Sequence, residues 1–222
     1  MRTVIFDLDG TLADTSGDLI AAANACFARM GEGDVLSVAT DAGTALRGGR
    51  AMLRLGLVRI GRTHDIDMII DQYYPILLEA YGAAIDTHTI LYPGAMDAVA
   101  RLSRDGYAVG ICTNKPEGLA ETLMTRLGVR GAFASLVGAD TLSVRKPDAA
   151  PMIEAVRRAG GDPARALLVG DTVTDRETAR AAGVPSVLVT FGPGGEDVAA
   201  LEPEALIGHY DELPGVVQRL IG

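Results

Sequence analysis

Short apolar segments alternate with amphipathic ones through the second half of the chain, and this alternation constrains the fold more strongly than any other feature. From residue 93 onward the apolar segments have the length of buried strands, and the segments between them carry apolar residues at helical spacing. Strands joined by crossover helices predict an α/β fold with a mostly parallel sheet covered on both faces. The predicted strands span residues 107–113, 133–137, 166–170 and 186–190, and a short strand and a closing helix lie within 206–220.

The chain also begins with an apolar strand, and two aspartates stand at its end. Residues 4–8 predict a buried strand that breaks into a turn at Gly10. Side chains two residues apart on an extended chain point to the same side, so Asp7 and Asp9 are expected to face one centre. Carboxylates about 4 Å apart repel by roughly 4 kcal/mol at an effective dielectric near 20. The alternative is a turn-initiating Asp–Gly pair beside an unrelated exposed aspartate.

The segment between residues 15 and 92 has a helical pattern throughout. Thr15 or Ser16 can cap a first helix, and further helical patterns cover 41–57, interrupted by two glycines, and 66–81. Pro75 lies inside the last pattern and is expected to kink or break it. We therefore predict a core domain of residues 1–14 plus 93–222 and an inserted all-helical domain of residues 15–92. The chain of 222 residues is long enough for both.

Composition and charge exclude several classes of partner. The net charge of −9 and a pI of about 4.8 leave no basic surface for nucleic acid. No apolar run approaches the roughly 20 residues of a membrane span, and no signal-peptide pattern is present. Cys26 and Cys112 lie in apolar segments outside any metal-binding spacing, which favours buried reduced thiols. We expect a cytoplasmic protein, and the sequence leaves both a monomer and a homodimer open.

Polar residues follow the predicted strands at the points where those strands end. In open parallel sheets, ligands bind beyond the carboxyl ends of the strands, near the point where strand order reverses. We therefore expect these side chains to meet in one site. They are Asp7, Asp9, Thr113, Asn114, Lys146, Asp171 and Asp175.

Four of these residues are acids, and their mutual repulsion calls for a cation. A divalent ion with oxygen ligands removes the conflict, and Mg²⁺ is the usual ion where phosphate oxygens complete the shell. Asp171 can reach the metal, while Asp175 can bind it directly or orient its waters. The alternative for this segment is an aspartate that only caps the following helix.

The remaining residues of the set are suited to binding phosphate. Lys146 is a compact cation placed before Pro147, and the chain contains only one other lysine, Lys115. Thr113 and Asn114 offer a hydroxyl and an amide to phosphate oxygens. A surface lysine and a helix-capping threonine are the alternatives.

These motifs resemble, in order and spacing, the four motifs of the haloacid dehalogenase-like (HAD) hydrolase superfamily. The resemblance covers essentially the whole chain. It implies a Rossmann-like core with a parallel sheet and, in residues 15–92, the helical cap of the first cap class. The motifs are Asp7-Leu8-Asp9-Gly10-Thr11, Thr113-Asn114-Lys115, Lys146-Pro147 and Gly170-Asp171 with Asp175.

Within the superfamily, the chain looks most similar to the phosphoglycolate phosphatase branch. Residues 14–19, 49–53 and 92–94 carry that narrower resemblance. Gly17, Arg47, Arg50 and Ala149 depart from the pattern of the branch, which leaves the predicted chemistry unchanged and bears on the substrate. The resemblance implies an Mg²⁺-dependent phosphoric monoester hydrolase whose partner is a small phosphorylated metabolite, 2-phosphoglycolate.

The resemblance also implies a role for each residue of the site. Asp7 attacks phosphorus and forms a phosphoaspartyl intermediate, and Asp9 protonates the leaving alcohol and then activates water. Mg²⁺ and hydrogen-bond donors stabilise charge on the transferring group. The implied phosphate ligands are the Leu8 amide, Thr113, Asn114 and Lys146, and the implied metal ligands are Asp7, Asp9, Asp171 and Asp175.

Several alternatives remain at this point. Two other activities of the superfamily are discounted. Carbon–halogen cleavage needs no leaving-group acid, yet Asp9 is present, and phosphonate cleavage needs a cap lysine that the segment 15–92 lacks. A sugar-phosphate mutase, a phosphatase for another small phosphate or pyrophosphate, and a non-catalytic binding protein stay open. Arg47, Gly49 and Arg50 are candidates for specificity, in which the arginines meet a substrate carboxylate. The alternative for them is solvated arginines at a helix end.

Overall fold

A parallel sheet organises the larger part of this computed structural model, which describes residues 1–192 and 197–222. The strand that begins the chain lies in the interior of this sheet, and the described part of the chain contributes six strands to it. In chain order the strands are β1 (Thr3–Phe6), β2 (Ala13–Asp14), β3 (Ile90–Leu91), β4 (Ala108–Cys112), β5 (Ser135–Val137), β6 (Ala166–Gly170), β7 (Ser186–Val189) and β8 (Ala205–Ile207).

The order of the strands confirms the predicted α/β parallel-sheet class. The sheet runs β5-β4-β1-β6-β7-β8 with every pair parallel, and β2 pairs with β3 in a separate sheet. The chain builds one half outward from β1 and then crosses to β6 to build the other half. This reversal of strand order opens a crevice at the carboxyl ends of β1 and β6, where such sheets bind ligands. At that edge, Phe6 is paired with Ile111 on one side and with Val169 on the other.

The helices that follow residue 94 cover the sheet, because each presents an apolar stripe to it. All residues of β1, β4, β6 and β7 are buried, as expected for strands covered on both faces. One core cluster joins Met152 and Val156 to Ile5, Cys112 and Leu168 of the sheet. The helices are α1 (Ser16–Arg29), α2 (Val38–Ala45), α3 (Gly49–Arg59), α4 (Ile66–Ala83), α5 (Ala95–Arg104), α6 (Glu117–Arg126), α7 (Ala149–Arg158), α8 (Val173–Ala182) and α9 (Leu213–Ile221).

The chain divides into two units. The first comprises Met1–Asp14 and Leu91–Gly222, and the second comprises Thr15–Ile90 with helices α1 to α4. Within the second unit the helices approach closely at Gly56, where a Cβ atom would lie 2.1 Å from Cζ of the buried Phe27 ring. None of the helices in the described residues is both long enough and apolar enough to cross a membrane.

The predicted break at Pro75 is wrong, because α4 runs through this residue from Ile66 to Ala83. Pro75 is exposed, so water can satisfy the carbonyl of Asp71 that loses its backbone donor. The predicted kink stays a prediction. The two-residue strands β2 and β3 were absent from the expected pattern, because alternation cannot be recognised over two residues.

A charged contact joins the first turn of α2, and the segment before it, to the end of α3. Arg59 donates to both carboxylate oxygens of Asp41 at 2.8 Å and to the Val35 carbonyl at 2.8 Å. The Asp41 side chain is 4% exposed and also accepts the Ser37 N–H at 2.9 Å. Hydrogen bonding from Arg59 outweighs burial and lowers the pKa of Asp41 to about 2.

We expect Asp41→Asn to destabilise the protein by about 1 to 2 kcal/mol at pH 7, and the difference to vanish near pH 2. The folded pKa lies below the unfolded value of 3.8, so the stabilisation is present above about pH 4 and lost as the pH falls to 2. Urea unfolding of both proteins between pH 2 and pH 7 measures this difference in the free energy of unfolding. Glu32→Gln is the control, because Glu32 pairs with Arg62 at 3.9 Å on the surface. A pH-independent effect of Asp41→Asn would contradict the prediction.

Candidate active site

Asp7 stands at the carboxyl end of β1, in the crevice of the sheet. Its N–H donates to the Val169 carbonyl at 2.8 Å, which continues the hydrogen bonding of β1 with β6 by one residue. Its Oδ1 accepts the Leu8 N–H at 2.7 Å and lies 3.0 Å from Lys146 Nζ. The carboxylate is therefore held by its own turn and by a cation from a distant loop.

Lys146 is the centre of the site's charges. Its side chain is 1% exposed, and Nζ lies 3.0 Å from Asp7 Oδ1 and 2.7 Å from Asp175 Oδ1. Burial opposes protonation, but the carboxylates of Asp175 and Asp7 outweigh it and raise the pKa of the Lys146 ammonium. Asn114 Nδ2 donates to the Lys146 carbonyl at 3.1 Å and so fixes the loop that carries the lysine.

Asp175 caps helix α8 and also pairs with the lysine. Its Oδ2 accepts the Asp171 N–H at 3.2 Å, the Thr172 N–H at 3.1 Å and the Thr172 hydroxyl at 2.8 Å, which closes a capping box. Its Oδ1 meets Lys146. The capping of α8 by Asp175 therefore does not exclude a role of the same carboxylate in the site. Gly170 permits the arrangement, since a Cβ atom there would lie 2.3 Å from Asp175 Cγ.

Three carboxylates form a cluster that fits a metal ion. One oxygen each from Asp7, Asp171 and Asp175 lies within 4.8 Å of the others. Burial, then Asp175 and Asp9, raise the pKa of Asp7 to about 7 despite the opposing effect of Lys146. Burial, Asp175 and Asp7 likewise raise the pKa of Asp171 well above its usual value. Ionised carboxylates this close repel one another, and a divalent cation bound among their oxygens would relieve that repulsion.

Asp9 lies outside this cluster and is paired with a second lysine. Lys115 Nζ lies 2.9 Å from Asp9 Oδ1, and the Lys115 side chain is 4% exposed. The Lys115 N–H donates to Thr113 Oγ1 at 3.1 Å, and the Thr113 N–H continues β4 toward the Val137 carbonyl at 2.9 Å. No role for Lys115 was predicted from the sequence. The chain contains only two lysines, and this scarcity of lysine is the signal that could have drawn attention to Lys115.

Thr11 is another residue of the site that the sequence analysis did not single out. Its hydroxyl donates to Asp171 Oδ1 at 2.8 Å, and both residues are buried. This hydrogen bond joins the turn after β1 to the end of β6, and it orients one of the three clustered carboxylates.

The three candidates for specificity lie in the second unit. Arg50 is 2.8 Å from Asp71 and its guanidinium lies 4.8 Å from the centre of the Tyr74 ring. Arg47 donates to Thr44 Oγ1 at 3.4 Å. Gly49 is the first residue of α3, and a Cβ atom at this position would lie 2.8 Å from Leu77 Cδ2. Close packing against Leu77 therefore explains why a glycine stands there.

Comparison with known proteins identifies the family. A model of the haloacid dehalogenase-like hydrolases matches residues 4–189. This chain belongs to that family. The phosphoglycolate phosphatase of Mesorhizobium japonicum is 39% identical over 98% of this chain and 96% of its own length. The phosphoglycolate phosphatase of Agrobacterium fabrum is 36% identical over 98% of this chain and 93% of its own.

Solved structures agree with this assignment at the level of the fold. The crystal structure of a predicted phosphoglycolate phosphatase from Haemophilus somnus superposes with a TM-score of 0.84 at 22% identity, over 98% of both chains. The family match and the curated relatives confirm the resemblance stated from the motifs. They also confirm the predicted enzyme class, a phosphoric monoester hydrolase of this superfamily.

Proposed function

We propose that this HAD phosphatase hydrolyses 2-phosphoglycolate through a phosphoaspartyl intermediate and depends on Mg²⁺. The observation that carries the proposal is the buried Lys146 ammonium within 3.0 Å of both Asp7 and Asp175, beside the cluster of three carboxylates. A cation and an acidic metal-binding cluster side by side suit a dianionic phosphoryl group bound with a divalent ion. The substrate is proposed from the names of the relatives, which are phosphoglycolate phosphatases at 36 and 39% identity.

The residues present fit Mg²⁺. We propose that Asp7, Asp171 and Asp175 hold the ion through carboxylate oxygens, directly or through water, and that Asp9 contributes its backbone carbonyl. When bound, Mg²⁺ neutralises negative charge on the phosphoryl oxygens. Asp9 is set apart from the three clustered acids by its ion pair with Lys115, whose Nζ lies 2.9 Å from Asp9 Oδ1.

The first half of the proposed reaction transfers the phosphoryl group to Asp7. The Asp7 carboxylate attacks phosphorus in line, the bond from phosphorus to the alcohol oxygen breaks, and Asp9 gives its proton to that oxygen. Thr113, Leu8 N–H and Lys146 donate hydrogen bonds to the transferring group. Asn114 Nδ2 carries two hydrogens, one of which it donates to the Lys146 carbonyl. We assign the second hydrogen to a phosphate oxygen.

The second half regenerates the enzyme. Asp9, now ionised, takes a proton from water, and the oxygen of that water attacks phosphorus and releases Asp7 with inorganic phosphate. Lys115 acts as a positioning residue in both halves, because its ammonium fixes the direction of the Asp9 carboxylate. We further propose that residues 1–14 and 93–222 form the catalytic core, and that the helical residues 15–92 form a cap that sets specificity.

A phosphate-release screen tests the proposal. The substrates are 2-phosphoglycolate, sugar phosphates, nucleotides and pyrophosphate, each with Mg²⁺ and with EDTA. We expect the highest kcat/KM for 2-phosphoglycolate and no turnover in EDTA. Preference for another phosphate would overturn the substrate, and return of the phosphoryl group to an isomerised sugar phosphate would indicate a mutase. A folded protein inactive on every substrate would indicate a binding protein.

We expect Arg50→Ala to raise the KM for 2-phosphoglycolate about five- to tenfold. The KM for a phosphomonoester that has no carboxylate should change by less than about twofold. The reason is the position of Arg50 beside Gly48 and Gly49 at the start of α3, where we propose that its guanidinium meets the substrate carboxylate. Steady-state kinetics with both substrates measures the ratio. Arg54→Ala is a matched control, because Arg54 is an equally exposed arginine of the same helix, paired with Asp67. Equal effects on both substrates would favour solvated arginines.

A further inference from the structure

Three aromatic residues cover the turn that follows β1. The ring of Phe191 lies between those of Tyr92 and Tyr210, with centroids 5.0 and 5.4 Å away. The Tyr92 N–H donates to the Leu12 carbonyl at 3.0 Å, and the Tyr210 hydroxyl donates to the Thr11 carbonyl at 2.6 Å. We call Tyr92, Phe191 and Tyr210 the aromatic cluster. It is anchored by hydrogen bonds to the turn that carries the nucleophile.

The same turn connects the aromatic cluster to Asp171 of the proposed metal site. Thr11, whose carbonyl binds Tyr210, donates its hydroxyl to Asp171 Oδ1 at 2.8 Å. Gly192 follows Phe191 and approaches closely, since a Cβ atom there would lie 3.4 Å from Asp171 Oδ2 and 3.1 Å from the Gly10 carbonyl. Thr11 and Gly192, which adjoin the aromatic cluster, therefore both lie close to Asp171.

The two tyrosines of the cluster differ in how their hydroxyls are satisfied. Tyr210 has its partner in the Thr11 carbonyl, whereas the Tyr92 hydroxyl is buried and has no hydrogen-bond partner among residues 1–192 and 197–222. A buried hydroxyl without a partner is costly, and native proteins rarely keep one. Burial raises the pKa of the Tyr92 phenol most, and the carboxylates of Asp14 and Asp171 raise it further, so the phenol stays neutral at physiological pH.

We propose that Tyr92 is a positioning residue whose hydroxyl binds a water molecule coordinated to the divalent cation at Asp171. The inference rests on the proposed function, because it requires the metal site. Mg²⁺ keeps several of its waters when carboxylates bind it, and residues beyond the direct ligands orient what the ion carries. A water on the ion gives the buried hydroxyl the partner that the described residues do not supply.

The test is the substitution Tyr92→Phe, studied by Mg²⁺ titration without substrate and by thermal unfolding in EDTA and in Mg²⁺. We expect Tyr92→Phe to weaken Mg²⁺ binding about tenfold, because the water on the ion loses a partner. In EDTA we expect a midpoint equal to or above that of the wild type, by up to about 4 °C, because the variant lacks the unpartnered hydroxyl. The substitution thus has opposite consequences for the metal-bound and metal-free protein.

Tyr210→Phe is the matched control within the same aromatic cluster. It also removes one hydroxyl from a buried ring, but that hydroxyl is bonded to Thr11. We expect it to lower the unfolding midpoint by about 2 to 4 °C in EDTA and in Mg²⁺ alike. Each variant removes a single oxygen, and circular dichroism checks that both fold.

The possible outcomes separate this inference from the proposed function. Unchanged Mg²⁺ affinity in Tyr92→Phe, or a lower midpoint in EDTA as in the control, overturns the role of Tyr92 and leaves the metal site standing. A raised KM for substrate with unchanged Mg²⁺ affinity also overturns it, since the hydroxyl then binds substrate. A wild-type protein that binds no Mg²⁺ overturns both.

Discussion

Asp7→Asn will lower kcat by about 10⁴-fold or more and leave the fold intact. The loss follows from the proposed role of Asp7, because an amide does not attack phosphorus and nucleophile substitutions in enzymes have effects of this order. The intact fold follows from the structure. Burial and the neighbouring acids raise the pKa of Asp7 to about 7, so its charge costs stability in the metal-free protein.

The sign of the stability change distinguishes this prediction from a general loss of structure. The folded pKa of Asp7 lies above its unfolded value of 3.8, so ionisation destabilises the folded state as the pH rises from about 4 to above 7. In EDTA at pH 8, Asp7→Asn should therefore unfold at or above the temperature of the wild type, and the difference should shrink toward pH 4. Phosphate release and thermal unfolding on the same samples measure both quantities.

A surface aspartate provides the control for Asp7→Asn. Asp67→Asn removes a carboxylate that is 83% exposed and pairs with Arg54, so kcat and the midpoint are expected to stay near the wild-type values. Retained phosphatase activity in Asp7→Asn would refute the nucleophile. A large fall of its midpoint in EDTA would contradict the account of the acidic cluster.

The fold was predictable because each central strand is buried on both faces. Such strands appear in the sequence as continuous apolar runs, and β4 and β6 were found at nearly the bounds that the structure gives. Parallel strands then place the residues that follow them at one edge of the sheet. This rule gathers Asp7, Lys146 and Asp171 without any knowledge of their distances.

The pairing of charges within the site could not be predicted in the same way. The strand-end rule brings Lys146 and all four acids to one edge, but it does not say that Lys146 sits between Asp7 and Asp175. It also gave no role to Lys115, which pairs with Asp9. Those pairings depend on side-chain directions in loops, where no periodicity constrains the backbone. The aromatic cluster was unpredictable for the same reason, because its three residues come from positions 92, 191 and 210.

Lys146→Met will both abolish turnover and destabilise the metal-free protein by about 3 to 5 kcal/mol, or roughly 10 °C in unfolding midpoint. The lysine side chain is 1% exposed and compensates two carboxylates, and methionine of similar volume leaves Asp7 and Asp175 in place without their cation. Thermal unfolding in EDTA at pH 8 measures the loss. Lys115→Met is the matched control. Its partner Asp9 is 16% exposed, whereas Lys146 also pairs with Asp175, which is 0% exposed, so the fall should be smaller for Lys115→Met.

The dependence on pH and on Asp175 shows whether charge is the cause of this destabilisation. The Lys146 ammonium lowers the pKa of Asp7, so without it that pKa rises further. The folded variant then binds a proton that the unfolded chain releases, and its stability should increase as the pH falls from 8 to 5. The double variant Lys146→Met/Asp175→Asn removes one of the unpaired charges and should recover much of the midpoint while remaining inactive. If Lys146→Met instead unfolds at the wild-type temperature in EDTA at pH 8, the buried ammonium does not compensate the charges of Asp7 and Asp175, and the proposed charge arrangement of the site is wrong.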